Sequence, residues 1–342
     1  MNKNSIFELE LSELENWMLE QQEKKFRASQ VFEWLFQKNC CHFEDMKNLP
    51  KSLIEKLSDH FVIHPFTDTN IVPDPYEHAT KYVFSCQDNY KIESVVLAEK
   101  TYKTLCISSQ IGCPVGCTFC LTGKMNLIRQ LSKAEIIAQF HYLKHLHPTL
   151  THVVFMGMGE PLLNLKAVLP TLETMISPKG FNLNKRHITV STSGYLAGLK
   201  QLIDKKIILN LAFSVGHANP LKRKHIMPCE LKNPIIECAR LIKQYQSLHN
   251  RKLTLEYTLL EGVNEDRDSM QQLANLARYL DAKVNLINLN PHPKIPHKPI
   301  AIKQLKSCKT FLSSLGIPNT IRYTKGQKIT AACGQLGESF FK

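Results

Sequence analysis

Hydrophobic and polar positions change their rhythm along the chain. Up to residue 60 the apolar positions recur at helical spacing. In FRASQVFEWLFQK (26–38) Val31, Trp34, Leu35 and Phe36 share that period, and SLIEKLSDHF (52–61) resumes it after a short Pro-containing turn. The stretch HPFTDTNIVPDPYEHAT (64–80) is rich in Pro and Asp and predicts a linker with a domain boundary. Beyond it the pattern alternates. KYVFSC (81–86) and KIESVVL (91–97) predict a strand pair joined through QDNY, and six more β-rich runs follow: TLCISS, HVVFMG, HITVST, LNLAFS, LTLEYTLL and KVNLINL. Most are separated by helical stretches such as SKAEIIAQFHYLKHL, LKNPIIECARLIKQYQ and DSMQQLANLARYL, and a short strand, NTIRYT (319–324), precedes the tail. Strand and helix alternating at this spacing predict an α/β fold, a partial (β/α)6 barrel with an N-terminal helical accessory domain. The expected divisions are 1–75 for the helical domain, 76–98 for the strand pair joining it to the core, and 99–338 for the barrel and its C-terminal segment.

Parallel barrels present their active sites at the carboxyl ends of the strands. Six consecutive loops here carry, in order, a cysteine array, GMGEPLLN, STSG, SVGHAN, EGVNED and NPHP, so the topology brings all six to one face.

Charge sharpens the picture. The chain of 342 residues has a net charge of +13, but residues 1–90 hold 9 Lys/Arg against 15 Asp/Glu, and residues 91–342 hold 34 against 15. The basic portion is the portion with the cysteine array, as expected of a surface that meets a polyanion. Scattered solubilising lysine is the plainer account. No run of apolar residues is long enough for a membrane span, and the acidic, amphipathic start MNKNSIFELELSELENW is unlike a signal or transit peptide. The expected location is the cytoplasm. Eleven cysteines in a chain of this length point to metal binding or thiol chemistry rather than disulfide staples.

Cys113, Cys117 and Cys120 form a C-x-x-x-C-x-x-C array between a strand and a helix. Thiolates suit zinc or iron–sulfur iron. A structural zinc wants a fourth ligand, and a second C-x-x-C pair is absent; three cysteines on a four-iron cluster leave one iron open. In GMGEPLLN (157–164) Gly159 allows close approach to a ligand and Glu160 offers a carboxylate for an ammonium group. Ser191, Ser214 and Asn290 are hydrogen-bonding groups at later strand ends, each by itself equally a cap or turn residue. Lys222, Arg223 and Lys224 follow the fourth barrel strand, where phosphate contact and a solvated loop are competing accounts. Cys333, in TAACGQLG, is flanked by small residues that let a partner approach; Cys40, Cys41, Cys86, Cys229, Cys238 and Cys308 are read as buried structural thiols. Glu93, in IESVV, stands out where acidic residues are sparse, with a salt-bridged strand residue as the plain alternative.

Taken in order, IESVV, TLCISSQIGCPVGCTFCLTG, FMGMGEPLLN, ITVSTSG, EYTLLEGVNED, VNLINLNP and AACGQL resemble the radical S-adenosylmethionine (SAM) adenine-C2 RNA methyltransferases. KFRASQVFEWLF is similar to that family's helical N-terminal module, so the likeness spans nearly the whole chain. The resemblance implies a radical SAM barrel with one [4Fe-4S] cluster on Cys113, Cys117 and Cys120, and SAM held by Gly159, Glu160, Ser191, Ser214 and Asn290. It implies two SAM molecules per turnover. One methylates Cys333; the second, cleaved at the cluster, gives a 5′-deoxyadenosyl radical that takes hydrogen from the S-methyl group. The resulting carbon radical adds to adenine, Glu93 matches the proposed proton acceptor, and Cys106 matches the cysteine that releases product by forming a disulfide with Cys333. Adenine C2 is not nucleophilic, so a radical can add where a methyl cation donor cannot. The target base must also be unstacked to be reached.

The implied substrates are 23S rRNA and tRNA, at adenosine 2503 and adenosine 37. The implied electron donor is a reduced flavodoxin-type protein, and the enzyme is expected to be a monomer without membrane contact. A sister group methylates C8 of the same rRNA adenosine, and it has Ala-Leu-Ala where this chain has Pro161-Leu162-Leu163. A glycyl-radical activase and a zinc-stabilised RNA-binding protein are the readings from other classes. Three departures from the family pattern stand out. Gly216 takes the place of a histidine, with His217 one position late; GQKITAAC carries Lys328 and Thr330 where acidic residues are usual; and Asn126-Leu127 replaces Gly-Phe, with Arg129 retained.

Overall fold

The computed structural model describes residues 3–76, 78–249 and 253–341. Its centre is one ten-stranded sheet whose strands lie side by side in chain order. They are β1 (Phe66–Pro73), β2 (Ala79–Cys86), β3 (Lys91–Ala98), β4 (Lys103–Cys106), β5 (Leu150–Phe155), β6 (Ile188–Thr192), β7 (Asn210–Ser214), β8 (Thr254–Leu259), β9 (Lys283–Asn288) and β10 (Asn319–Arg322). The pairs from β1 to β4 are antiparallel and those from β4 to β10 are parallel. The alternating pattern therefore predicts the barrel strands well. The stretch 64–80 is a correction: Phe66–Pro73 within it is β1, paired with β2, rather than part of a linker. Its Pro and Asp residues are tolerated because β1 is the sheet's edge, where a missing N–H costs no ladder bond. Glu77, within that stretch, lies outside the described residues.

Among the crossover helices, α4 (Lys133–Leu146) is buried on both sides. Its Ile136, Phe140 and Leu143 enter the main core under the sheet, while Ala134, Ile137 and Ala138 belong to the core of the N-terminal helices α1 (Leu11–Glu20), α2 (Phe26–Phe32) and α3 (Lys51–His60). A helix apolar on opposite faces must be sandwiched, and this one joins module and barrel. Polar groups fix the seam. Glu8 Oε1 accepts from the Ala134 N–H at 3.1 Å, and Lys133 Nζ reaches Glu10 Oε1 at 2.6 Å.

Beyond the carboxyl end of β7, α5 (Pro220–Ile226) turns Arg223 inward. Its side chain is fully buried: Nη1 meets Glu230 Oε2 at 2.5 Å, Nε donates to Val215 O at 2.9 Å, and Nη2 donates to Ser193 O at 2.5 Å. Arg223 thus staples the loops after β6 and β7 and makes no phosphate contact; Lys222 and Lys224 remain outside. Glu230 also accepts from the Ile235 N–H at the start of α6 (Ile235–Gln246). Removing one member of such a pair strands a buried charge. We expect Glu230→Gln to cost about 3–5 kcal/mol, read as a lowered denaturant midpoint. An Arg223→Met/Glu230→Leu double variant should recover much of the loss, and a Glu230→Gln effect under about 1 kcal/mol would place the pair among surface-like bridges.

Candidate active site

The loop after β4 begins a short hairpin, Gln110–Gly112 against Leu127–Gln130, that closes the cysteine array at its base. Gly112 sits at φ +75°, and a Cβ there would stand 1.7 Å from Asn126 O, so only glycine fits. The hairpin is held by Arg129, whose guanidinium bonds both carboxylate oxygens of Glu135 at 2.8 Å and Asp88 at 2.5 Å. Cys113, Cys117 and Cys120 line a cavity of about 990 Å³, open mouth included, together with Gly159, Glu160, Ser191, Ser214 and Asn290. Every cofactor residue expected from the sequence therefore faces one space, of a size that suits a nucleoside-bearing ligand.

The three sulfurs test the metal alternatives. All three line one cavity wall on a single short loop, a sulfur-only donor set from one segment. Burial, then repulsion from neighbouring thiols, pushes Cys117 well up, and burial leads the rise at Cys113 and Cys120. Such a set keeps its thiolates only when a positively charged group binds them. Sulfur donors on one tight loop fit the corners of an iron–sulfur cluster.

The polar groups are already arranged. Glu160 is buried, which raises its pKa; the N–H and hydroxyl of Ser193, each 2.7 Å from Oε2, oppose that rise. Its own N–H donates to Gln110 Oε1 at 2.7 Å, and Gln110 packs so closely under Gly159 that a Cβ there would meet its Cβ at 2.5 Å. The Ser191 and Ser214 hydroxyls lie 3.4 Å apart on adjacent strands. Gly216 lines the cavity, and a side chain at that position would collide with Met227 Sδ at 2.3 Å. His217 points away, fully buried, with Nε2 3.1 Å from Ser269 Oγ, so it does not replace the histidine.

The C-terminal segment completes the site. Asn290 Nδ2 donates to Cys333 O at 2.9 Å while its Oδ1 accepts from Thr324 Oγ1 at 2.7 Å. The Leu121 N–H donates to Gly334 O at 2.7 Å, and Thr122 Oγ1 donates to Leu336 O at 2.6 Å. Cys333 is thereby tied to the cluster loop itself. It lies on the wall shared with a second cavity, which also contains Cys106, Val95, Leu97, Met156 and Arg322. Both cysteines are free thiols. Cys106 is pushed up to about 12 by burial first and Cys333 second, with Arg322 pulling the other way. Glu93 lies outside both cavity walls: it is fully buried, and its two oxygens accept from the Gly337 and Ser339 N–H groups at 3.0 Å each.

Sequence reasoning missed Arg322, whose charge is sustained chiefly by Cys333 and also by Glu256 and Cys106. The only signal was a lone cation inside the apolar run NTIRYT. Gln110 was missed as well, hidden in a glycine-flanked loop. No helix among the described residues is long and apolar enough to cross a membrane.

Comparison with known proteins agrees with this geometry. Residues 4–63 match the ribosomal RNA large subunit methyltransferase N-terminal domain, and residues 107–274 match the radical SAM superfamily. A probable dual-specificity RNA methyltransferase RlmN of Aquifex aeolicus is 40% identical over 335 residues, covering 94% of this chain and 96% of its own. Its counterpart in Staphylococcus aureus is 36% identical over 339 residues, covering 98% and 93%. The crystal structure of a radical SAM methyltransferase from Sphaerobacter thermophilus superposes with a TM-score of 0.93 at 34% identity, covering 98% of this chain and 99% of that one. Two halves of one site, a sulfur-lined cofactor cavity and a thiol on its wall, thus sit on a chain that belongs to the RlmN-type radical SAM RNA methyltransferases.

Proposed function

We propose that this enzyme methylates C2 of adenosine in RNA, at adenosine 2503 of 23S rRNA and adenosine 37 of tRNA, with Cys333 as methyl carrier and Cys106 as resolving thiol. It would act in the cytoplasm as a monomer, with a reduced flavodoxin-type protein as electron donor. The observation that carries this reading is the position of Cys333 on the wall between the cavity of the three array cysteines and the cavity of Cys106. A methyl carrier has to face both the source of the radical and the thiol that later frees the product.

The cluster that Cys113, Cys117 and Cys120 would hold, with SAM beside it, would supply reductive cleavage of a carbon–sulfur bond to a 5′-deoxyadenosyl radical and would accept the one electron that the ring adduct must later lose. The remaining steps belong to the chain's own residues. Cys333 Sγ, losing its thiol proton, takes a methyl group from one SAM molecule; that methyl gives up a hydrogen atom to the 5′-deoxyadenosyl radical from a second, and its carbon bonds to adenine. As the adduct loses one electron, Glu93 accepts the proton lost from the ring, which weakens the bonds its oxygens accept from the Gly337 and Ser339 amides. Cys106, as thiolate, then attacks the Cys333 sulfur. A sulfur–sulfur bond forms, the sulfur–carbon bond breaks, and the carbon leaves with its electron pair to be protonated as the product methyl. Arg322 faces both thiols and favours the thiolate form of Cys106 as it reacts.

Four outcomes test this. Cys117→Ala should lose the visible absorbance and iron of the reconstituted protein while its far-ultraviolet spectrum is retained. Cys333→Ala should abolish methylation, and Cys106→Ala should accumulate RNA bonded to Cys333, read as a gel shift that survives denaturant. No adduct in Cys106→Ala under turnover would sink the carrier assignment. Arg322→Met should slow adduct release and move its pH profile upward, because removing a cation raises the thiol's pKa; Arg322→Lys should restore part of the rate. Nucleoside mass spectrometry of RNA from a deletion strain should show loss of 2-methyladenosine, whereas loss of 8-methyladenosine would assign the other carbon.

A further inference from the structure

The seam between the N-terminal module and the barrel gathers sulfur and imidazole groups that methyl transfer does not use. After α2 the chain runs through a π-helical turn, Glu33–Gln37, and reverses at Asn39, which adopts φ +52°. Asn39 then lies against α4: its Nδ2 donates to His141 O at 3.1 Å, and its own carbonyl is 3.3 Å from His145 Nδ1. This reversal carries Cys41 back over the middle of α4. His64 arrives from the other direction, two residues beyond the end of the Phe61–Val62 strand.

The result is a group of three ligand atoms, Cys41 Sγ and one ring nitrogen each of His64 and His141, all within 4.8 Å of one another. His64 Nε2 is 2.9 Å from His141 Nδ1, and His141 Nε2 is 2.9 Å from Leu35 O. The Leu35 carbonyl can only accept, so His141 carries its proton on Nε2 and aims a lone pair from Nδ1 into the group. Metal-bound histidines are oriented in this way, with the far N–H donated to a carbonyl. Phe7 packs tilted against His141 at 4.9 Å and Tyr142 stands edge-on to His64 at 5.4 Å, so both imidazoles rest on aromatic walls. His141 is fully buried, whereas Cys41 and His64 are partly exposed and leave a route for an ion.

We propose that Cys41, His64 and His141 form a zinc site that clamps the N-terminal module to the barrel. One sulfur and two imidazoles with no carboxylate in the group select a borderline-soft cation over calcium or magnesium. Tetrahedral zinc, at about 2.3 Å from sulfur and about 2.0–2.1 Å from nitrogen, sets its ligand atoms roughly 3.3–3.6 Å apart. The two rings need open only by a few tenths of an ångström, and the sulfur needs close by little more than about one. The His64–His141 hydrogen bond is then replaced by two metal bonds: the His64 proton moves from Nε2 to Nδ1, and Cys41 releases one proton. His42 and His145 are both near enough to act on His64 electrostatically, and one of them or a water completes the coordination. The site draws its ligands from the loop after α2, the loop before β1 and helix α4, so one ion would crosslink three segments of both cores. It is separate from the methyl-transfer site, and its failure would leave that reading untouched.

The test uses the anaerobically reconstituted holoenzyme, in which the cluster occupies Cys113, Cys117 and Cys120. After treatment with a mild chelator, Zn²⁺ is titrated against a chromophoric competitor, with iron measured in parallel. We expect one tight equivalent of zinc in the wild type. Cys41→Ser and His64→Ala should each weaken it by more than the about 10–100-fold that loss of an outer-shell partner costs, with iron content unchanged. Co²⁺ in place of Zn²⁺ should give a thiolate charge-transfer band in the wild type that Cys41→Ser lacks. Zinc should also raise the melting temperature of the wild type and not of Cys41→Ser. No zinc uptake by the cluster-loaded wild type, or equal uptake by both variants, would overturn the proposal.

Discussion

The buried carboxylate of Glu93 is the constraint on which the catalytic geometry depends. The ten-stranded sheet does not close on itself, so the gap between β3–β4 and β10 has to be filled by something other than a strand. The C-terminal segment fills it. A carboxylate with no exposure to water is tolerable only if hydrogen bonds replace its hydration, and Glu93 finds them in two backbone N–H groups of that segment. Supporting bonds lie along the same seam: Lys325 Nζ donates to Ala98 O at 2.7 Å and meets Glu99 at 2.7 Å, and Lys81 donates to Thr330 Oγ1 at 2.9 Å. Four strand or strand-end residues, Lys81, Glu93, Ala98 and Glu99, thus hold the strap that carries Cys333.

The strap's other side is bonded to the cluster loop through Leu121 and Thr122, and to the loop after β9 through Asn290. The position of Cys333 relative to the cysteine array is therefore set by backbone hydrogen bonds on both sides, not by side-chain packing alone. Gly334, at φ +82° and with its would-be Cβ 3.2 Å from Phe119 O, marks how closely the two segments run. Reactions that pass an atom between two groups depend on such positioning, because an ångström of slack is expensive in rate.

What could be read in the sequence follows from which interactions are local. The six barrel strands and their loops were legible because period and turn chemistry are local signals, and the convergence of Cys113, Gly159, Ser191, Ser214 and Asn290 followed from topology. The strand β1 was not, since its Pro and Asp residues mimic a linker and only its edge position excuses them. Arg223 looked like surface charge beside Lys222 and Lys224; its inward turn depends on Glu230 and on the Ser193 and Val215 carbonyls, none of which a charge run reveals. Arg322 and Gln110 act through partners more than a hundred or about twenty residues away, such as Met156 and Gln130. Two of the three departures from the family pattern also gained physical content. Met227 leaves no room for a side chain at Gly216, while Lys328 bonds the Tyr76 hydroxyl and Thr330 bonds Glu338 to tie the strap.

Glu93 joins these threads. In the proposed reaction it receives a proton, yet both of its oxygens are occupied by the strap's amides. An amide N–H cannot share its acceptor oxygen with an incoming proton without weakening, so protonating Glu93 also loosens the hold on Gly337 and Ser339. Cys333 lies four residues before Gly337 on that strap, and loosening gives its sulfur freedom to turn from the cluster cavity toward Cys106. The same carboxylate would then hold the carrier thiol near the radical source until the ring proton arrives, and release it toward the resolving thiol afterwards. On this account the order of the two half-reactions is built into one buried charge.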